Sequence, residues 1–244
     1  MKIKIKKGHT NISYRYKDKF IQEKVYNGFN HKIDYTLLKK FDFVPELLCE
    51  NKSEIMWKFI DGQQPSITLN NVELIAKQVK SIHESKLSFP PSNHAARVKF
   101  YRNELKRSQR KLKVLDEFYR PINKTLANMH KDTPLHNDLW PFNMIEQDDK
   151  IFFIDWEYAT LGDKHFELAY IIEASNMDKA VEHKFLQAYG DYNEIFLLRH
   201  KMLVNYLVIL WVHTQTKPPF ATELYEQRIY QYDEQLKNLL NIKE

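Results

Sequence analysis

"LHNDLWPFNMI" (residues 135–145) and "IFFIDWEYA" (151–159) decide how this chain is read. The first sets His136, Asn137, Asp138 and Asn143 within a few residues of one another, and the second is an apolar run that ends on the acid Asp155. Between them, "NMIEQ" and "KIFFID" flank the turn pair "DD", so the spacing predicts two short strands in a hairpin. Such a ribbon brings a loop residue (Asp138), a strand-start residue (Asn143) and a strand-end residue (Asp155) to one end. Convergent oxygens of this kind suit a hard cation. Magnesium takes one or two carboxylates and completes its shell with amide oxygen, phosphate and water.

Outward from the ribbon, the two sides of the chain differ. Upstream, "IKIKK", "NISYRYK", "KFIQEKVY" and "EIMWKFI" alternate or are rich in β-formers and predict strands. "KGHTN" and "KD" are the tight links. "HKIDYTLLKKF" (31–41) places Ile33, Leu37, Leu38 and Phe41 as on a short helix. "DGQQP" (61–65) breaks the pattern and reads as a linker. Beyond it, Val72, Ile75, Ala76, Val79 and Ile82 recur at helical spacing, with Asn70 or Asn71 as cap. "ARVKFYRNELKRSQRKLKVLDEFY" predicts one long charged helix. Met202 to Val212 predicts a buried helix, and Tyr225, Ile229, Tyr232, Leu236 and Leu239 form one last stripe. The expected architecture is α+β: a small N-terminal antiparallel sheet with one helix over 1–60, then a larger, mainly helical lobe over 61–244.

Composition excludes several classes. With 244 residues, 43% hydrophobic and 14% aromatic, the chain can bury a real core and is not a disordered segment. Five glycines exclude collagen-like repeats. The net charge of +5 arises from 37 basic and 32 acidic residues, well mixed. The one basic run, "KIKIKK", alternates with Ile as the polar face of an edge strand does, so no nucleic-acid partner is expected. The single cysteine, Cys49, excludes an internal disulfide, suits a reducing, cytoplasmic setting, and is expected to be packed among apolar neighbours. No signal peptide is expected, and the apolar run "YLVILWV" is too short to span a bilayer. Oligomeric state is not readable.

The chemistry-bearing stretches resemble the kinase-like small-molecule phosphotransferases, which include aminoglycoside phosphotransferases and choline and ethanolamine kinases. The shared pattern is H-x-D-x-x-x-x-N, then an apolar strand ending in D. The "DWEYA" ending is similar to bacterial choline kinases. "GHTN" resembles their phosphate loop, "FIDG" their hinge exit, "IHES" their L-H motif and "GDKHFELAYIIE" their G-D-x-x-F-D-L-A segment. Protein kinases carry a G-x-G-x-x-G loop and D-F-G, and neither occurs here.

The resemblance implies a bilobal protein-kinase-like fold and phosphoryl transfer from ATP, with Mg2+, to the hydroxyl of a small amino alcohol. Choline is the first candidate; ethanolamine, thiamine and aminoglycosides are alternatives, and a non-catalytic nucleotide-binding relative is a further one. Asp138 becomes the catalytic base, with Asn143 and Asp155 as metal ligands. Alone, each has an ordinary reading; an Asp beside a Pro-containing turn is commonly a cap. His136 would brace the loop. Gly8, Thr10 and Asn11 would line the phosphate loop, which by itself is also an ordinary hairpin turn. Lys24 would hold the phosphates, paired with Asp34 where the family has Glu, unless it is simply a solvated strand lysine. Adenine would meet the backbone at Lys58, Phe59 and Ile60.

A quaternary ammonium cannot donate a hydrogen bond, so its recognition rests on aromatic faces and carboxylates. The chain offers the rings of Trp140, Trp156, Tyr158, Tyr170 and Trp211, and Glu157, Glu167 and Glu173 could supply negative charge; Trp140, Glu157 and Trp211 are the first candidates. Trp211 lies in "LVILWVHTQ", which resembles the family's W-x-x-W helix with Val208 at the first position; its other reading is core packing. Glu167 stands where the family has Asp, and its other reading is purely structural.

Overall fold

The computed structural model describes residues 2–5 and 11–241. Gly8 and Thr10, and with them most of the expected phosphate loop, lie outside the described residues.

The small lobe is a five-stranded antiparallel sheet. Its strands are β1 (Ile3–Ile5), β2 (Ile12–Tyr16), β3 (Lys19–Glu23), β4 (Leu47–Glu50) and β5 (Glu54–Lys58), in the order β1-β2-β3-β5-β4. The register pairs Phe20 with Trp57 and Gln22 with Ile55, so these four share one face. Against it packs the segment expected to be a short helix, which is instead a 3-10 turn over Tyr35–Lys40. The apolar positions explain the difference. From Tyr35 on, the buried positions are Tyr35, Leu38 and Phe41, and their spacing of three matches 3.0 residues per turn. Cys49 is exposed on edge strand β4, not packed as expected. β4 bulges between Leu47 and Cys49, which upsets the alternation there.

The linker is held firmly. Gln63 and Glu146 exchange backbone hydrogen bonds (3.0 and 2.7 Å). A Cβ on Gly62 would lie 2.3 Å from the Glu146 carbonyl oxygen, so only glycine allows this approach.

The large lobe begins with α1 (Val72–His83), where the periodicity placed a helix. The long charged helix does not form as one piece. It divides into α2 (His94–Arg107), α3 (Lys113–Glu117) and α4 (Tyr119–Asn128). The break follows a crowd of like charges, "KRSQRKLK", and Gln109 takes a left-handed backbone (φ 55°). Next come β6 (Thr133–Leu135), the ribbon β7 (Met144–Gln147) and β8 (Lys150–Phe153), and β9 (Thr160–Gly162), which pairs with β6. The hairpin turn falls at Asp148–Asp149, as expected. The β6–β9 pair, three residues a strand, carries too little pattern to be read in advance.

Helices α5 (Lys164–Ala174), α6 (Lys179–Tyr189), α7 (Glu194–Thr214) and α8 (Glu223–Asn241) complete the lobe. At 21 residues, α7 is long and apolar enough to cross a membrane, yet 72% of its apolar stretch is buried, packed against α2, α4, α5 and α8. It is the core helix of the lobe.

Candidate active site

The site lies where the β6–β7 loop, the end of β8 and the face of β3 meet. Two residues in it have left-handed backbones, Asn137 (φ 68°) and Asp155 (φ 62°). Asn and Asp tolerate this region because their short polar side chains bond locally. Asn137 does so, donating to the Tyr158 carbonyl (3.0 Å) and Thr160 Oγ1 (2.8 Å) and facing His94 Nε2 (3.0 Å).

Asp138 is the centre. Asn143 Nδ2 donates to its Oδ2 (2.9 Å) and to its backbone carbonyl (2.7 Å). Tyr170 donates its hydroxyl hydrogen to Oδ1. Burial pushes the Asp138 carboxyl up to about 6, against the opposing pull of Tyr170, Arg97 and Asn143. A carboxylate poised there can accept a proton near neutral pH. Asp155 receives a hydrogen bond from Gln22 Nε2 (3.2 Å). Burial and then the charges of Glu157 and Asp138 hold its carboxyl well above the usual range.

The loop is fastened from beneath. Buried Glu167 accepts from the peptide N–H of Asn137 (2.7 Å) and of His136 (3.1 Å) and meets His83 Nε2 (3.0 Å). Burial works to raise the Glu167 carboxyl, but the His83 bond and the further hydrogen bonds outweigh it, so it stays ionised. His136 Nε2 donates to the Ile154 carbonyl (2.9 Å), leaving Nδ1 to accept from the Asp138 amide (3.3 Å). Both residues hold the loop, which was the expectation for His136 and the structural reading of Glu167. His83 belongs to the "IHES" motif, so that motif and the Glu167 segment meet under the loop.

The donor set fits a magnesium–nucleotide complex. The Asn143 amide turns its NH2 toward Asp138, which leaves its oxygen as the end that could face a cation. Among the described residues no group of three or more His, Cys, Asp or Glu is arranged to hold a metal. A magnesium ion that relies on phosphates and water needs no such group.

Other expected residues fall elsewhere. Lys24 lies one residue past β3, where alternation has ended. It pairs with Glu50 (2.5 Å) and the Asn51 carbonyl (2.9 Å), not with Asp34. Asp34 instead caps the 3-10 turn, accepting from Thr36 N (3.0 Å) and Thr36 Oγ1 (2.6 Å). Gln22, not Lys24, is the β3 residue that reaches Asp155. Alternation through Tyr26 would place Gln22 and Lys24 on one face, but β3 ends at Glu23.

Glu157 is buried and turned to the small lobe. Its Oε2 accepts from Asn30 (2.7 Å) and Asn11 (2.9 Å) and meets His31 Nε2 (3.0 Å). Asn11 thus lies beside the catalytic end of the ribbon. In the hinge, the Lys58 and Phe59 amides donate to Glu46 O (2.8 Å) and Asp18 O (2.7 Å). Trp140 stacks on Phe142 (4.4 Å between centroids), and Trp211 lies by Phe220 (6.3 Å) near the end of α7. Tyr170 and Arg97 were not foreseen as residues of the base. Tyr170 had been counted only among the chain's aromatic rings, and Arg97 sits in a helix crowded with cations.

Residues 46–202 match the phosphotransferase enzyme family, and the chain belongs to it. Over 238 residues it is 50% identical to a "Protein LicA homolog" of Mycoplasma capricolum subsp. capricolum, covering 98% of this chain and 100% of that protein. Its fold is similar to a choline/ethanolamine kinase family protein from Mesorhizobium loti (TM-score 0.76, 18% identity, 96% of this chain and 87% of that one). It is also similar to choline kinase LicA from Streptococcus pneumoniae (TM-score 0.74, 18% identity, 98% and 93%). The kinase-like bilobal expectation is therefore met, and the chain is a small-molecule phosphotransferase.

Proposed function

We propose that the chain transfers the γ-phosphoryl group of ATP, in the presence of Mg2+, to the hydroxyl of a small amino alcohol, with choline favoured. The observation that carries this reading is the Asp138–Asn143 pair (2.9 Å) set opposite an Asp155 fixed by Gln22. In the step, the acceptor oxygen attacks the γ-phosphorus, the bond to the β–γ bridging oxygen breaks, and Asp138 takes the hydroxyl proton. Asn143 and Asp155 would hold the metal, which when bound neutralises charge developing on the phosphates. Asn11, near the phosphate loop, and the hinge at Lys58, Phe59 and Ile60 would place the nucleotide.

The acceptor reading rests on aromatic supply. Trp140 is two residues past the base, Tyr170 touches it, and Trp211 heads a cluster with Phe220 and Tyr225. The similar relatives with choline kinase in their names favour the same class. A screen of ADP release with choline, ethanolamine, thiamine and aminoglycosides tests it. Choline is expected to give the largest kcat/KM. Nucleotide binding without stimulation by any alcohol would leave a binding protein, and preference for an aminoglycoside would overturn the amino-alcohol assignment. Trp140→Leu and Trp211→Leu are expected to raise the acceptor KM by roughly threefold to thirtyfold, the worth of a cation–π contact.

A further inference from the structure

Phosphoryl transfer needs a fixed cation near the charge that develops on the transferring group. On β3 that place is held by neutral Gln22, while the nearby Lys24 is committed to Glu50 and Asn51. A different cation faces the base. Arg97, in the first turn of α2, lies over the Tyr158 ring (5.1 Å from guanidinium carbon to centroid). Its Nε is buried and has no hydrogen-bond partner among the described residues. Its charge is felt at Asp138, and those of Asp138 and Tyr170 are felt at Arg97. A buried guanidinium nitrogen with no partner is costly unless something supplies one.

We propose that Arg97 is a catalytic residue that binds the oxygens of the transferring phosphoryl group, taking over the charge that β3 does not provide. The guanidinium carbon lies 5.1 Å from the centroid of the Tyr158 ring, and a guanidinium fork suits two phosphate oxygens. The start of α2 is itself anchored to the small lobe. Asn93 donates to the Phe29 carbonyl (3.1 Å), and Phe29 meets Phe100 edge-on (5.5 Å). Arg97 is thereby carried on an element that touches both lobes. The inference rests on the phosphotransferase reading above, though not on the identity of the acceptor.

The test measures Mg·ATP and Mg·ADP affinity separately, together with turnover, in wild type, Arg97→Met and Arg97→Lys. A residue that holds the γ-phosphoryl group affects ATP alone. Arg97→Met is expected to weaken ATP roughly tenfold, leave ADP unchanged, and lower kcat by about 10²- to 10³-fold, with partial recovery on adding free guanidinium. Arg97→Lys keeps the charge and so should fold even if the Met variant does not. It is expected to retain ATP preference but lose most turnover, because the fork is gone. Equal weakening of ATP and ADP, or full turnover in either variant, would make Arg97 a mere counter-charge and overturn the proposal. If wild type prefers ATP through Arg97 yet phosphorylates none of the alcohols tested, the acceptor assignment fails and the role of Arg97 stands. Failure of wild type to bind nucleotide removes both.

Discussion

Tyr170 donates its hydrogen to one of the two oxygens through which Asp138 would receive a proton. That bond stabilises the charged carboxylate, against a burial that favours the neutral acid. With the Asp138 carboxyl at about 6, the base is ionised above that pH and protonated below it, so kcat/KM for the acceptor should fall as pH drops through about 6. Tyr170→Phe removes a bond that lowers the Asp138 pKa and should move this acid limb to higher pH. A pH–rate profile with an unmoved limb would separate Tyr170 from the base. Asp138→Asn should keep nucleotide affinity and lose turnover by roughly 10² to 10⁴-fold, the range for a general base. At this scale the sequence was readable where spacing fixed the geometry, at Asp138, Asn143 and Asp155, because a loop and a two-stranded hairpin leave little freedom. It was unreadable where partners lie far apart along the chain. Tyr170 and Arg97 are 32 residues and, by subtraction from Asp138, 41 residues from the base, and no local pattern links them to it. Lys24 was set on the same face as Gln22 by extending the alternation one residue beyond β3, which ends at Glu23.

Among the elements, the ribbon β7–β8 carries more than the metal-side residues. Its outer edge also receives the linker, through the backbone pair Gln63 and Glu146. Gly62→Ala would drive a Cβ into the Glu146 carbonyl, 2.3 Å away, and backbone cannot turn aside as a side-chain tip can. The expected cost is about 1 to 3 kcal/mol, the usual range for overpacking, read as a lower midpoint in chemical denaturation. An unchanged midpoint would mean the linker relaxes freely. Helix α1 was legible from its apolar stripe, and α7 from a run that is apolar nearly all round over Met202 to Val212, although the helix starts eight residues earlier. The break between α2 and α3 was not, since charged residues accept both helix and loop and only Gln109's backbone marks the change. The 3-10 turn at Tyr35–Lys40 was mistaken for an ordinary short helix because Ile33, Leu37, Leu38 and Phe41 were taken as its apolar face, without Tyr35, whose spacing of three to Leu38 marks the tighter turn.

Across the whole molecule, carboxylates and their partners tie the lobes together. Asp155 from the large lobe takes Gln22 from the small one, and Glu157 takes Asn11, Asn30 and His31. Three acids, Asp138, Asp155 and Glu157, thus share one seam, and their mutual repulsion falls when a cation enters. Magnesium should accordingly strengthen nucleotide binding in wild type. Asp155→Ala should abolish that dependence, leaving the same affinity with and without the ion in a calorimetric titration. Persisting magnesium dependence in the variant would assign the ion to other ligands. The exposure of Cys49 has a separate, practical consequence. The chain's sole thiol stands on the outer strand of the small lobe, clear of the cleft. One dye attached there, with no other cysteine to compete, would mark that lobe at a single position and test whether its surroundings change as ligands arrive.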